Sequence, residues 1–225
     1  MTEKSPSLVT SKTLIEPEFE GFYGKYKITL VDQLEVKRYR ISVLVCAISF
    51  CCGLTQWLAI GPNLAWIWLI TMTISLGLAL QWIHIYILFL HNALKIFWAV
   101  GSLGVLFLLF NIGPQEMLSS IASKPILELF IGPFFMALTG LGFKEFFCFR
   151  RPEAIGMTFF IPIALLGHLL GVLSLSSVMS LLFISAILLL IMAVRKFGVD
   201  AALDIGDKSV FEYLDNQKTA ESSGI

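Results

Sequence analysis

Long apolar runs separated by short polar clusters set the plan of the chain. A helix needs about twenty predominantly apolar residues to cross roughly 30 Å of hydrocarbon. Runs of that kind cover 41–60, 64–90, 96–112, 125–143, 157–173 and 176–194. Gly61-Pro62-Asn63 makes a tight turn between the first two, and His91 and Lys95 mark the boundary of the third. A loop containing Pro114, Glu116 and Lys124 follows the third run, and a basic loop with Lys144, Arg150 and Arg151 follows the fourth. The expected fold is all-α, a polytopic membrane helix bundle of about six transmembrane helices. Its parts are a flexible polar N-terminus (1–20), a juxtamembrane segment (21–40), the transmembrane domain (41–194) and a polar tail (195–225).

Ahead of the first span, the stretch GFYGKYKITL (21–30) has the partial alternation of a short extended segment. Asp32 then reads as a helix N-cap, with Glu35 reaching back as in a capping box. The helix starting there carries Lys37, Arg38 and Arg40 up to the first span.

Charge adds direction to this plan. In a six-span arrangement, fifteen of the sixteen Lys and Arg residues fall on the side of the two termini, and Lys124 alone falls opposite. Because cytoplasmic segments carry the basic excess, both termini are expected on the cytoplasmic or stromal side. Trp57, Trp66 and Trp68 fall near the other interface, and Trp82 and Trp98 near the basic one. Composition agrees with lipid as the main solvent: 57% of the residues are hydrophobic and 14% charged, where soluble domains run nearer half apolar and about 25% charged. A formal net charge of zero argues against nucleic acid as a partner. Cys46, Cys51, Cys52 and Cys148 form no CxxC and read as small packing residues. No cleavable signal peptide is visible.

Few residues carry chemistry. His168 lies near mid-depth in the fifth run, and intramembrane ionisable groups usually face the protein interior. It is a candidate for proton handling or ligand contact, against the plainer role of a helix-bridging hydrogen bond. His84 is a further intramembrane candidate, and with His91, seven residues on, it would share one helix face. Glu128 sits about one turn inside the fourth run. There it either caps the helix start or, if buried, handles a cation or proton. Gly167 and Gly171 bracket a GxxxG pattern suited to close helix packing. Gly132-Pro133 should interrupt the fourth span, as in the broken helices of some transporters. No metal site, cofactor or catalytic motif emerges; GxSxG, the P-loop and HExxH are all missing from the sequence.

A set of motifs extends from about 21 to 214: GFYGKYKIT before Asp32, Glu35, Tyr39-Arg40, GFKEFFCF at 142–149, Gly167-His168, AVRK at 193–196 and DIGDKSVFEYL at 204–214. As a set they resemble a family of uncharacterised integral membrane proteins of cyanobacteria and plastids. The resemblance implies a photosynthetic cell or organelle, with the plasma or thylakoid membrane as the setting. It implies no catalytic residues.

Two classes of function follow. One is a non-enzymatic accessory or biogenesis factor for a membrane complex, whose subunits would join the lipid bilayer as partners. Tyr23, Tyr26, Lys144, Glu145, Asp204 and Asp207 are then candidates for docking on the basic face. The alternative is a small-solute or ion carrier or channel built around His168 and Glu128. A carrier should line a polar cavity at mid-depth; an accessory factor should be packed dry there.

Overall fold

The computed structural model describes residues 18–83 and 88–210. They divide into two compact units, one formed by the segments up to Gln33 and from Asp207 onward, the other by Leu34–Gly206.

In the first unit, β1 (Glu18–Gly21) and β2 (Gly24–Lys27) pair antiparallel, with Phe19 opposite Tyr26 and their rings stacked 5.7 Å apart. Gly24 takes φ 139° at the turn, a conformation that disfavours any side chain. The C-terminal segment closes on this hairpin. Asp207 Oδ2 accepts from the Phe22 amide at 2.6 Å, and Ser209 Oγ accepts from the Tyr23 amide at 3.0 Å. Lys208 Nζ reaches Asp32 Oδ2 at 2.8 Å. The extended segment expected at 21–30 is thus a hairpin, and GFYGKYK and DKS, far apart in sequence, fold on one another.

Helix α1 (Leu30–Ala59) starts one residue after its cap. That cap is Thr29, not Asp32: Thr29 N and Oγ1 both donate to Asp32 Oδ2 at 2.8 Å, and Asp32 N donates to Thr29 Oγ1 at 3.2 Å. Asp32 therefore fills the returning position of the capping box, which the sequence reading had given to Glu35.

In the second unit, α1 is followed by α2 (Trp66–Trp82), α3 (Leu88–Ile112), α4 (Pro114–Ser123), α5 (Glu128–Phe149), α6 (Pro152–Leu169), α7 (Leu175–Lys196) and the short α8 (Ala201–Ile205). Among the described residues, six segments are long and apolar enough to span a bilayer: Leu30–Ala59, Pro62–Trp82, Leu88–Ile112, Pro125–Phe149, Pro152–Leu169 and Leu175–Lys196. The core between them is apolar and closely filled, with Val43, Ala47, Leu76, Phe134, Leu138 and Leu189 all buried. Large apolar side chains such as Phe110, Phe89 and Phe159 point outward. In water such a surface would be a liability, whereas in lipid it is the expected solvent contact.

Three boundaries differ from the sequence reading. The apolar run 64–90 is two elements, because α2 stops at Trp82 and α3 starts at Leu88. His91 therefore belongs to α3, where its Nε2 donates to the Leu80 carbonyl at 3.1 Å and satisfies an acceptor in the last turn of α2. The face expected to be shared by His84 and His91 rests on His84, which lies outside the described residues. The loop after the third span is largely the helix α4. Gly113 at φ 91° and Pro114 at its first position start that helix, and Met117, Leu118 and Ile121 are its buried face.

The third difference is α5, which is helical throughout from Glu128 to Phe149, across Gly132-Pro133. Pro133 has no N–H for the carbonyl one turn back, a defect that membrane helices tolerate. Glycines of α3 meet it there: a Cβ on Gly104 would overlap the Phe130 carbonyl, and one on Gly101 the Phe134 amide. These two glycines bring two helices into backbone contact, whereas Gly167 meets Leu173 of its own turn and a Cβ on Gly171 would meet nothing within 4 Å.

Candidate functional site

Helices α5 and α6 run antiparallel, so the first turn of α5 faces the last turn of α6. Glu128 occupies that first turn and His168 that last turn. His168 Nδ1 lies 2.5 Å from Glu128 Oε1, and both side chains are buried. Two of the intramembrane candidates, Glu128 and His168, forty residues apart, thus form one pair. It sits at the end of the bundle that also holds α4, not near mid-depth, because α6 ends at Leu169 well before the apolar run does.

The chain turns there on the glycines read as a packing motif. Gly171, at φ 69°, donates to the His168 carbonyl at 2.9 Å, and Val172 and Leu173 both donate to the Gly167 carbonyl at 2.9 Å. A Cβ on Gly167 would meet the Leu173 side chain of the same turn. These glycines end α6 and so place His168.

Glu128 Oε2 is buried and has no hydrogen-bond partner. Two hollows reach Glu128. One, of about 100 Å³, lies toward the bundle interior against Phe50, Trp57, Trp68, Met72, Leu118 and Ile131, with His168 also on its wall. The other, of about 240 Å³, lies between α5 and α6 against Gly132, Pro133, Met136, Thr139, Pro162 and Leu166. Both are almost wholly apolar: Glu128, His168 and Ser49 are polar residues of the first, and Glu128 and Thr139 those of the second. A Cβ on Gly132 meets nothing within 4 Å, so the expected packing residue instead leaves space in the second hollow.

A second cluster gathers at the opposite end, where α5 and α7 finish. Tyr39 Oη donates to Glu145 Oε1 at 2.6 Å, and Lys144 Nζ donates to the same oxygen at 3.2 Å. Lys196 Nζ bridges Glu145 Oε2 and Asp204 Oδ1, each at 2.7 Å. Arg40 completes the chain through Nε to Asp204 Oδ2 at 2.7 Å, with further bonds to the Val199 and Asp200 carbonyls at 2.9 and 3.1 Å. Lys144 and Lys196 also lie over the rings of Tyr39 and Phe149, at 4.6–5.4 Å from the ring centres. Lys144, Glu145 and Asp204 were expected as docking groups. Instead they are buried and bonded to one another, because the last turns of α5 and α7 face inward at this point. Lys196, Tyr39 and Arg40 complete the network, and sequence reasoning missed that role for all three. The signal for it was slight: each ends or begins an apolar run, where a cation usually snorkels to water.

The remaining docking candidates lie in the hairpin unit. Tyr23 is half exposed beside the exposed Phe22, with ring centres 5.1 Å apart. Tyr26 is half-buried. Partial burial and the nearby Asp207 carboxylate push its hydroxyl above the ordinary range. Asp207 is held below the usual carboxylate range by the hydrogen bond from the Ser209 hydroxyl and those from the Phe22 and Ser209 amides.

Apolar spans, lipid-facing exterior and buried terminal charges define an integral membrane helix bundle. The chain belongs to a family described as uncharacterised integral membrane protein (DUF2301), whose model matches residues 78–213. It is also 34% identical over 84 residues to an uncharacterised protein of Haemophilus influenzae, a match covering 37% of this chain and 49% of that one. The chain thus spans about half the length of this curated relative. No solved structure matches the chain. The family description carries no restriction to cyanobacteria or plastids, and the Haemophilus relative lies outside the setting implied by the sequence resemblance.

Proposed function

We propose that this chain is a non-enzymatic accessory or biogenesis factor for a membrane protein complex, a packed bundle and not a conduit. The observation that carries this reading is how three buried hydroxyls within the spans are bonded, although the Thr139 hydroxyl and Glu128 Oε2 are buried without a partner. Thr73, Ser75 and Ser185 are buried, and each donates to a carbonyl of its own helix, at 2.8, 3.0 and 2.8 Å respectively. Hydroxyls bonded in this way have no free donor for a passing solute, and the charged side chains gather at the two ends. Phe22 and Tyr23, exposed at the hairpin turn, supply an aromatic contact of the kind enriched at protein interfaces.

Both termini are placed on the cytoplasmic or stromal side, on the strength of the basic excess. Residence in a photosynthetic plasma or thylakoid membrane rests on the sequence resemblance alone. Gentle-detergent purification of a tagged copy from its native membrane, with mass spectrometry, tests the role. Stoichiometric recovery of subunits of one complex, lost in a Phe22→Ala/Tyr23→Ala variant that still accumulates, is the expected result. Recovery of the tagged protein alone would overturn it. The alternative, a carrier, draws on the buried Glu128–His168 pair and would show as solute or proton flux in reconstituted vesicles.

A further inference from the structure

The hollow between α5 and α6 has the form of a lipid-side ligand site. Glu128 stands at one of its ends and Thr139 at the other. Eleven residues of helix separate them, about 16 Å at 1.5 Å per residue, and eleven steps return to nearly the same helix face. Glu128 lies in the first turn of the span and Thr139 near its middle. The hollow therefore runs from one interface to about mid-membrane, the depth of a single leaflet at roughly 15 Å. Its rim residues Leu129, Met136 and Leu166 are exposed on the bundle exterior, where lipid is the solvent. At the interfacial end, Glu128 Oε2 is a buried acceptor without a donor, its companion oxygen being taken by His168. A buried polar atom left unpaired in this way costs about 1–3 kcal/mol, which a ligand supplying the donor would recover.

We propose that this groove binds a single-chain amphiphile from the bilayer, whose head donates a hydrogen bond to Glu128 Oε2 and whose tail lies along α5 and α6. An ammonium head suits a carboxylate beside a neutral imidazole, and a hydroxyl head suits a carboxylate already neutralised by an imidazolium. A carboxylate head is excluded, because it would set a second anion against Glu128. Pro133 and Pro162 line the groove, and Gly132 leaves room for the tail.

The test uses membranes containing the full chain and three probes, dodecylamine, dodecanol and dodecanoate, each with a photoreactive diazirine in the tail. Labelled residues are mapped by mass spectrometry, with unlabelled probe as competitor. Saturable labelling within 132–139 and 162–169 by the amine or the alcohol, but not by dodecanoate at pH 8, is expected. A preference for the amine assigns the anionic form of the pair; equal labelling by both assigns the neutral form. Gly132→Leu fills the groove without meeting a neighbour at its Cβ and abolishes the labelling while the protein accumulates normally. Glu128→Gln weakens labelling by the amine at least tenfold. Equal labelling by all three probes, labelling that no competitor saturates, or undiminished labelling in Gly132→Leu would overturn the proposal.

Discussion

Replacing Glu145 by Gln should destabilise the bundle more than replacing Lys196 by Met, although Lys196 makes the more conspicuous bridge. The reason is charge balance. Three cations, Arg40, Lys144 and Lys196, face two carboxylates, Glu145 and Asp204, in a buried cluster. Removing Lys196 leaves two of each sign, and both carboxylates keep a partner: Glu145 with Lys144 and Tyr39, Asp204 with Arg40. Its cost is the loss of charge-assisted hydrogen bonds, about 1–3 kcal/mol. Removing the charge of Glu145 leaves three cations against Asp204, with two lysines sharing the faces of Tyr39 and Phe149 and no anion between them. Breaking a buried pair in that way costs about 3–5 kcal/mol. The double variant should cost less than the sum of the single ones, by about 0.5–3 kcal/mol, because one substitution removes the charge the other strands. Reversible unfolding in mixed micelles, followed by tryptophan fluorescence, measures all three. A Lys196→Met cost equal to or above that of Glu145→Gln, or strict additivity, would refute the charge-balance reasoning.

Gly104→Leu should prevent α3 from seating on α5 at Phe130 and cost about 1–3 kcal/mol or more by overpacking; Gly132→Leu should not, and membrane abundance of the two variants compares them. The link between Asp207 and the hairpin depends on pH in a defined sense. Because the Asp207 carboxyl titrates below its ordinary value in the folded unit, its contribution is complete above the unfolded-state value of 3.8 and is lost as pH falls through the folded one. Amide exchange at Phe22 should then accelerate at low pH beyond its intrinsic trend, and Asp207→Asn should remove that extra pH dependence.

The spans were legible because lipid imposes a length and a composition that soluble folds do not. Glu128 and His168 were each legible as costly intramembrane groups. Their pairing was not, since it depends on where α6 ends, and the apolar run continues past that point through Gly171. The end of α2 at Trp82 and the start of α3 at Leu88 were hidden for a related reason: QWIHIYILFL offers no Gly, Pro or Asn to mark them. Helix α4 was read as a loop because ten residues with Pro114 and mixed polarity fall below the length of a span. The network around Lys196 escaped notice because each member sits at a span end, where sequence pattern alone cannot separate a snorkelling cation from a buried one. The capping box at Thr29 was misassigned by one turn, since Asp32 suits either role.

Water accessibility along the middle of the spans tests the packed bundle most directly. In a background with the native cysteines replaced, single cysteines at Thr73, Ser75, Thr139 and Ser185 would be exposed to a charged maleimide in intact membranes, then again after denaturation. A packed bundle predicts reaction only after denaturation at all four positions. Labelling of two or more of them in intact membranes would contradict it and establish a polar path through the protein.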